Sequence, residues 1–539
     1  MVLGLLPIIA DMLDRRFLAP HAVARWAAET PDAVALEHVD GSRLSYAELH
    51  ADALRWAGAL QRLGVEAGTH VATMVPNTFV AHRAMLALGW LRAVEVPLNT
   101  AYTGRTLRYA LDHSDTTVLI VAPEYLDRVG GVSSDTPGLA TVVVTDGAAR
   151  TLPGDVQAVA ITEVLASSSP AAGLAGPDAW DTACLLFTSG TTGPSKAVVS
   201  PWGSVVHQMW SWVPEDTIGP GEGLYCALPM FHNSGRSAFN YTMGRGARLV
   251  FRDKFSATNV WDDVRRTGCV TLSLVGPMTS LLWSAEPRAD DAETPVRNVV
   301  LGPMIPDMEA FERRFGVRVA TCYGQTEIGV PVATGWDHGP WANCGRVRTD
   351  YPWPEVRLVD EHDEAVPVGE VGEMIVRTAE PWALNIGYYK MAEQSVDAWR
   401  NGWFHTGDAF RCDEDGWFYF VDRMKDAIRR RGENISSFEV ENHLLEHDAV
   451  VECAAVGART RHGDEEVLAV LVVKDADAFD PAALIDFLEP RMPRFMIPRY
   501  VRVVDDLPRN ETTGRVRKQQ LRDEGVTDVT WDREAASER

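Results

Sequence analysis

The chain has 539 residues, of which 51 are lysine or arginine and 75 are aspartate or glutamate, so its formal charge is −24. With 46% hydrophobic and 23% charged residues, its composition is that of a folded globular protein rather than a disordered or fibrous one. This length predicts two or more domains, and the acidic charge argues against partners such as nucleic acid or an anionic membrane surface.

The cysteine pattern suits a reducing compartment, and the apolar segments favour a soluble protein. The seven cysteines are scattered and form no C-x-x-C pair, which argues against a disulfide framework or a zinc site. Residues 1–9 are apolar but short and lack a basic leader, so we expect a docked helix rather than a signal peptide. No uncharged run approaches the roughly 20 residues that a bilayer span requires. The sequence therefore predicts a soluble, cytoplasmic protein.

From about residue 30 to residue 400, short β-branched runs alternate with amphipathic helical stretches. We expect strands at 71–75, 117–121 and 140–145 and a helix at 79–91. Alternation of this kind predicts βαβ units and parallel sheets with both faces covered by helices.

The pattern changes after about residue 422. Ser436-x-x-Glu439 has the spacing of a capping box and predicts a helix that runs through His447. Strand-like runs at 450–456, 467–473 and 500–504 follow, with a helix that begins at Asp480-Pro481. We therefore expect two domains, 1–421 and 422–539, the second of them small and α+β.

The strongest chemical signal is an apolar strand at 184–187 that opens into the loop Thr188-Ser-Gly-Thr-Thr-Gly-Pro-Ser-Lys196. Free N–H groups, hydroxyls and an ammonium suit a polyphosphate. The loop is not a Walker loop, because Ser195 stands where glycine is needed and Ala197 where serine or threonine is needed. A mobile turn is the alternative reading. The candidate phosphate-binding residues are Thr188, Ser189, Gly190, Thr191, Thr192, Gly193 and Lys196.

Two further motifs carry polar groups on strands. Tyr323-Gly-Gln-Thr-Glu327 offers an aromatic face for a base, a hydroxyl for a phosphate and a carboxylate for magnesium. In Gly402-Trp-Phe-His-Thr-Gly-Asp408, the aspartate can accept both hydroxyls of a ribose, and Arg423 can donate to the same sugar. Each motif alone can also be an ordinary turn or a charged hairpin.

In this order, the three motifs resemble those of the superfamily of acyl-CoA synthetases, peptide-synthetase adenylation domains and firefly-type luciferases. The resemblance covers about residues 20–522, and the stretches 428–440 and 525–534 look most like the carnitine/crotonobetaine-CoA ligase subgroup. It implies a large N-terminal α/β domain of packed sheets flanked by helices, plus a small mobile α+β C-terminal domain. The active site would lie between them.

The resemblance also implies a two-step reaction. A carboxylate attacks the α-phosphate of ATP to give acyl-AMP and pyrophosphate, with Mg²⁺ neutralising charge. The C-terminal domain then swings about a hinge, which falls on Lys425, and the thiolate of CoA attacks the acyl-adenylate. The implied cofactors are ATP or AMP, Mg²⁺ and coenzyme A.

Roles for individual residues follow from the same resemblance. The loop from Thr188 to Lys196 would hold the β- and γ-phosphates, Glu327 with Thr188 would bind magnesium, and Asp408 with Arg423 would hold the ribose. The adenine and α-phosphate would contact Tyr323, Gly324, Gln325, Thr326 and Phe420. The pantetheine tunnel of CoA would be lined by Arg431, Gly432, Glu433 and Asn434.

The acid itself is assigned only by class. His232 matches the aromatic gate beside the carboxylate, although read without the resemblance it is a turn histidine. The other acyl-binding candidates are Met230, Phe231, Asn233, Gly276, Gly302 and Pro303. Their apolar surroundings suggest a hydrophobic carboxylic acid from secondary metabolism.

One departure from the family pattern affects the chemistry. Relatives carry a Gly-Lys pair whose lysine reaches the substrate carboxylate and the α-phosphate, and here Arg515 follows Gly514. Arginine is a planar fork rather than a point charge, and loss of one transition-state donor costs on the order of 10²–10³ in rate. We therefore hypothesise a ligase that is impaired in adenylation but joins acyl-AMP to CoA. A separate adenylating enzyme would supply the acyl-AMP.

Several alternatives stay open. Arg515 is a drifted lysine if the chain is an ordinary two-step acyl-CoA synthetase, with Arg515 or Lys518 in the catalytic role. An oxidative luciferase-like enzyme, a carrier-protein-loading enzyme and a non-catalytic nucleotide-binding protein are more distant readings. A homodimer is the expected assembly if the chain behaves like many relatives.

Overall fold

The computed structural model describes residues 14–147, 152–154, 156–188, 195–302, 308–340, 342–349, 354–424, 426, 428–430, 433–459, 465–509 and 516–537. Its strands are β1 Val34–His38, β2 Arg43–Ser45, β3 His70–Met74, β4 Val94–Pro97, β5 Val118–Val121, β6 Thr141–Val144, β7 Gln157–Ala160, β8 Thr182–Thr188, β9 Lys196–Pro201, β10 Gly223–Cys226, β11 Arg248–Phe251, β12 Cys269–Val275, β13 Asn298–Gly302, β14 Arg318–Gln325, β15 Gly329–Ala333, β16 Glu355–Val359, β17 Val371–Arg377, β18 Phe404–Cys412, β19 Phe418–Arg423, β20 Ile428–Arg430, β21 Glu433–Ile435, β22 Val450–Arg459, β23 Glu465–Val473, β24 Tyr500–Val503 and β25 Trp531–Asp532.

The α-helices follow the same chain order. They are α1 Ala19–Glu29, α2 Tyr46–Arg62, α3 Phe79–Leu91, α4 Gly104–His113, α5 Leu126–Gly130, α6 Ile161–Ala166, α7 Trp202–Trp210, α8 Asn233–Gly244, α9 Val260–Thr267, α10 Gly276–Ser284, α11 Met308–Phe315, α12 Ala392–Ala398, α13 Ser437–Leu445, α14 Pro481–Leu488, α15 Lys518–Glu524 and α16 Arg533–Ser537. The helix predicted for residues 1–9 lies outside the described residues. In the ranges that are described, no helix is both long enough and apolar enough to cross a bilayer.

Two large sheets dominate the N-terminal part. One has the order β15-β14-β13-β12-β10-β11-β1-β2 and the other the order β7-β6-β5-β3-β4-β8-β9. Most neighbours are parallel, and apolar strands such as β5 are buried along their whole length because helices cover both faces. The main apolar core joins residues of both sheets with α1, α2, α3, α7 and α8. The predicted α/β class and the early strands and helix are confirmed.

The expectation of parallel βαβ units was wrong for the last part of the 30–400 region. There β16, β17, β18 and β19 form an antiparallel four-stranded sheet in chain order. The connection between β16 and β17 is a turn around residues 360–370 that carries no helix, so it is too short for a parallel crossover.

The C-terminal part is small and α+β, as predicted. It contains the hairpin β20–β21 and the sheet β22-β23-β24-β25. Ser436 caps α13 by accepting the N–H of Glu439 at 3.0 Å, although the helix ends at Leu445 rather than at His447. The division at 421/422 stays a prediction, because β19 spans it and the hinge candidate Lys425 lies outside the described residues.

Candidate active site

The carboxyl ends of adjacent parallel strands collect several predicted residues. Strands β10, β12, β13 and β14 are neighbours and run parallel. His232 follows β10, Gly276 begins α10 directly after β12, Gly302 ends β13, and Tyr323 lies near the end of β14. Ligands of open α/β sheets bind at this edge. The topology thus brings the predicted acyl-binding and nucleotide-binding residues to one side of the sheet; Pro303 lies outside the described residues.

The predicted phosphate loop leaves β8 and enters β9 at neighbouring positions. Thr188 pairs with Lys196 across this antiparallel hairpin, and its hydroxyl donates to the Lys196 carbonyl at 3.4 Å. The Tyr109 hydroxyl donates to the Ser195 carbonyl at 2.9 Å and holds the end of the loop. The loop candidates outside the described residues are Ser189, Gly190, Thr191, Thr192 and Gly193.

Lys196 and Glu327 both contact Tyr388, a residue that the predicted motifs do not contain. The Lys196 ammonium lies 4.4 Å from the centroid of the Tyr388 ring, and the Tyr388 hydroxyl donates to Glu327 Oε1 at 3.3 Å. Burial raises the pKa of the Glu327 carboxyl, while the hydroxyl and the nearby ammonium lower it. The pKa of Tyr388 is also raised, by burial and by the Glu327 charge, so this phenol stays neutral.

Asp408 is the centre of a hydrogen-bonded group. Its Oδ2 accepts the Tyr323 hydroxyl at 2.7 Å and Gln325 Nε2 at 2.8 Å. Arg423, its partner across β18 and β19, has Nε 3.6 Å from Asp408 Oδ1. A carboxylate has about four acceptor positions, so a carboxylate fixed in this way retains capacity for hydroxyl groups of a ligand. The structure therefore brings four predicted residues together: Tyr323, Gln325, Asp408 and Arg423. The candidates Gly324 and Thr326 are their neighbours along the chain.

An aromatic row connects this group with the C-terminal part. The Tyr323 ring lies 4.6 Å from Phe410, Phe410 lies 5.4 Å from Phe420, and Phe420 lies 5.6 Å from Phe438 of α13. The predicted nucleotide-binding residue Phe420 thus contacts both parts of the chain.

The segment that carries His232 is anchored in the core. The ring of His232 lies 4.7 Å from that of Phe231, and the residue directly precedes α8, which starts at Asn233. The Met230 carbonyl accepts Arg236 Nη1 at 3.2 Å. Arg236 also forms a buried ion pair with Glu95 at 2.5 Å. Neither Arg236 nor Glu95 was expected from the sequence.

Lys518 lies inside the C-terminal part. Its ammonium donates to Ser437 Oγ at 2.5 Å and lies 2.8 Å from Glu441 Oε1. The Ser437 N–H donates to Asp422 Oδ2 at 2.5 Å, so Lys518 belongs to a cluster that ties α15 to α13 and to the end of β19. Burial raises the pKa of Glu441 and of Asp422, and the Lys518 charge lowers both.

The remaining predicted residues of the C-terminal part are only partly described. The backbones of Glu433 and Asn434 belong to β21, which pairs with β20. Four candidates of this part lie outside the described residues: Lys425, Arg431, Gly432 and Arg515.

Tyr388 is the main functional candidate that sequence reasoning missed. It follows Gly387, whose φ is 119°, in a segment without a polar motif. A glycine followed by two tyrosines was the available signal, but nothing in the sequence indicates that this segment joins two motifs more than a hundred residues apart.

Two family models match the chain. Residues 23–389 match the AMP-binding enzyme model, and residues 439–513 match the AMP-binding enzyme C-terminal domain. Because the first match covers more than half of the 539 residues, the chain belongs to the AMP-binding enzyme family. The resemblance predicted from the motifs is confirmed.

Relatives are named as CoA ligases and synthetases. Crotonobetaine/carnitine–CoA ligase of Escherichia coli O8 (strain IAI1) is 29% identical over 488 residues, which cover 88% of this chain and 93% of the relative. Among solved structures, o-succinylbenzoate CoA synthetase (MenE) from Bacillus subtilis in complex with its acyl-adenylate OSB-AMP has a TM-score of 0.79 at 25% identity, covering 93% and 97% of the two chains. ATP-bound MatB from Rhodopseudomonas palustris has a TM-score of 0.80 at 26% identity, covering 94% and 98%.

Proposed function

We propose that this enzyme is an acid–thiol ligase that forms an acyl-CoA thioester from a hydrophobic carboxylic acid and CoA through an acyl-adenylate. The observation that carries the proposal is the fixed Asp408 group, in which Tyr323, Gln325 and Arg423 surround one carboxylate near the strand ends of the large sheet. The relatives named as CoA ligases support the same reaction class.

Each group has a defined task in this proposal. Asp408 accepts ribose hydroxyls, and Arg423 donates to the same sugar. The Lys196 ammonium attracts the β- and γ-phosphates, to which the glycine- and hydroxyl-rich sequence before it is also suited. His232 borders the acid at the edge of the sheet, and Glu433 and Asn434, whose backbones belong to β21, contribute to binding CoA.

The residues present fit a magnesium ion that is held mainly by the phosphates of the ligand. Glu327 is a single recessed carboxylate, and the described residues contain no group of three or more metal-binding side chains. Mg²⁺ commonly uses one or two carboxylates together with substrate phosphates and water. Bound there, it would neutralise phosphate charge, and Glu327, with Thr188, would hold it.

The finer proposal is that adenylation is impaired because Arg515 stands at the position of the catalytic lysine. The position of Lys518 supports this proposal. Its ammonium is occupied by Glu441 and Ser437, so it would have to leave an ion pair and a short hydrogen bond to replace the missing lysine. A separate adenylating enzyme would then supply the acyl-adenylate.

The second candidate is an ordinary two-step synthetase. It is favoured by the arrangement of Lys196, Tyr388 and Glu327, which suits polyphosphate and magnesium and has no use in an enzyme that never meets ATP. The cytoplasmic location, the homodimer, the domain rotation and the role in secondary metabolism stay predictions.

The test separates the two half-reactions. Benzoate, cinnamate and octanoate serve as acids, with pyrophosphate release from ATP as one readout and thioester formation from their synthetic adenylates and CoA as the other. Thioester from the adenylates but little pyrophosphate release supports the impaired ligase, and efficient turnover from acid and ATP supports the two-step synthetase. Failure of both readouts on the whole panel, in protein that binds no AMP, would contradict ligase function.

A further inference from the structure

Residues 385–389 connect the phosphate-loop hairpin with the turn that carries Glu327. On one side, the Ile386 N–H donates to the Val199 carbonyl at 3.1 Å, and the Tyr389 N–H donates to the Ala197 carbonyl at 2.8 Å. On the other side, the Glu327 carbonyl accepts both the backbone N–H of Asn385 at 3.1 Å and its side-chain amide at 2.6 Å. This segment therefore fixes the distance between two otherwise separate motifs.

Tyr388 stands at the centre of this connection and is 8% exposed. One face of its ring is covered by the Lys196 ammonium, and its hydroxyl donates to the Glu327 carboxylate. Among the described residues, Lys196 and Glu327 do not form an ion pair with each other within 4.0 Å, although their charges are opposite. The phenol lies between them and holds each by a weaker interaction, a cation–π contact and a hydrogen bond.

We propose that Tyr388 is a positioning residue that keeps the Lys196 ammonium and the Glu327 carboxylate apart, so that both remain available to the magnesium complex of a nucleoside triphosphate. Without the ring, the two charges would pair and neutralise each other, because opposite charges in a recessed site attract strongly. This inference rests on the proposed function, since it assumes that the loop before Lys196 binds phosphates.

The test is direct binding, which needs no turnover. Calorimetric titrations with ATP and Mg²⁺, and separately with AMP, are made on the wild type and on Tyr388→Phe, Tyr388→Leu and Tyr389→Phe. The last variant is a matched control, because the Tyr389 hydroxyl donates to Asp115, at 2.8 Å, and not to Glu327. Thermal unfolding of each variant checks that the fold is kept.

We expect Tyr388→Leu to weaken binding of ATP with Mg²⁺ by about tenfold or more and to raise the Mg²⁺ concentration required, because a charged-group contact of this strength corresponds to about one decade. Tyr388→Phe keeps the ring and should lose less of the affinity for ATP with Mg²⁺. AMP lacks the β- and γ-phosphates, so its affinity should not change in any variant, and Tyr389→Phe should resemble the wild type.

Two results would overturn the inference. Either Tyr388→Leu binds ATP with Mg²⁺ as the wild type does, or it loses AMP affinity in the same proportion, which indicates general damage to the site. A wild type that binds neither nucleotide would instead contradict the proposed function, and the inference with it.

Discussion

Replacing Lys518 by methionine separates a structural role of this residue from a catalytic one. Its ammonium has an ion pair of 2.8 Å with Glu441 and a hydrogen bond of 2.5 Å to Ser437, and the paired side chains of Lys518 and Glu441 are only 17% and 16% exposed. Breaking a fully buried pair costs about 3–5 kcal/mol. Because this pair retains some solvent, we expect Lys518→Met to lower the free energy of unfolding by about 2–3 kcal/mol.

The loss of folding stability in Lys518→Met should depend on pH. Without Lys518, the pKa values of Glu441 and Asp422, which burial already raises, should rise further. A carboxyl whose pKa is higher in the folded chain than its unfolded value of about 4 destabilises the fold as pH rises through the interval between the two values. The deficit of Lys518→Met should therefore be larger at pH 8 than at pH 5.

Urea unfolding at both pH values measures this deficit. The control is Lys474→Met, which removes an exposed lysine from the same part of the chain and should change little. Equal stability of the two variants would refute the structural role of Lys518. A variant Lys518→Met that keeps its stability but loses acid-dependent pyrophosphate release would show instead that Lys518 acts as the catalytic lysine.

Two further predictions concern the nucleotide site and the core. Tyr323→Phe removes the hydroxyl that donates to Asp408 at 2.7 Å, so the dissociation constant for AMP in calorimetry should rise about tenfold. The control is Tyr419→Phe, because this tyrosine lies on β19, next to the strand of Asp408, and its hydroxyl donates to Asp413 at 2.7 Å. An equal effect in both variants would contradict the assignment. Arg236→Met leaves the charge of Glu95 buried beside an apolar side chain, so the free energy of unfolding in urea should fall by about 3–5 kcal/mol, and adding Glu95→Met should recover most of it. No recovery in the double variant would refute the ion-pair account.

The motifs predicted from the sequence are those whose residues are close along the chain. Thr188 ends β8 and Lys196 begins β9, while Tyr323 and Glu327 lie four positions apart at the end of β14 and just beyond it. Their spacing along the chain therefore already indicates the site. The parallel sheets were predictable for a similar reason, because a helix lies between most successive strands up to β14.

The contacts that escaped prediction join distant segments. Tyr388 meets Glu327 only because residues 385–389 pair with β9, and the Arg236–Glu95 pair connects α8 with β4 across the core. Neither has a local pattern, since periodicity and spacing report on neighbours along the chain. The antiparallel sheet β16–β19 was missed because strand runs look alike in both sheet types, and only the length of the connection distinguishes them.

We propose that Arg515 limits adenylation while thioester formation is intact, and one substitution tests this proposal directly. Acid-dependent pyrophosphate release and thioester formation from synthetic acyl-adenylate are compared in the wild type, in Arg515→Lys and in the control Arg517→Lys. If Arg515 is limiting, Arg515→Lys should raise pyrophosphate release on the order of 10²–10³-fold and leave thioester formation unchanged. Pyrophosphate release that is equally fast in all three proteins would contradict the claim and make this enzyme a two-step synthetase in which arginine serves at the lysine position.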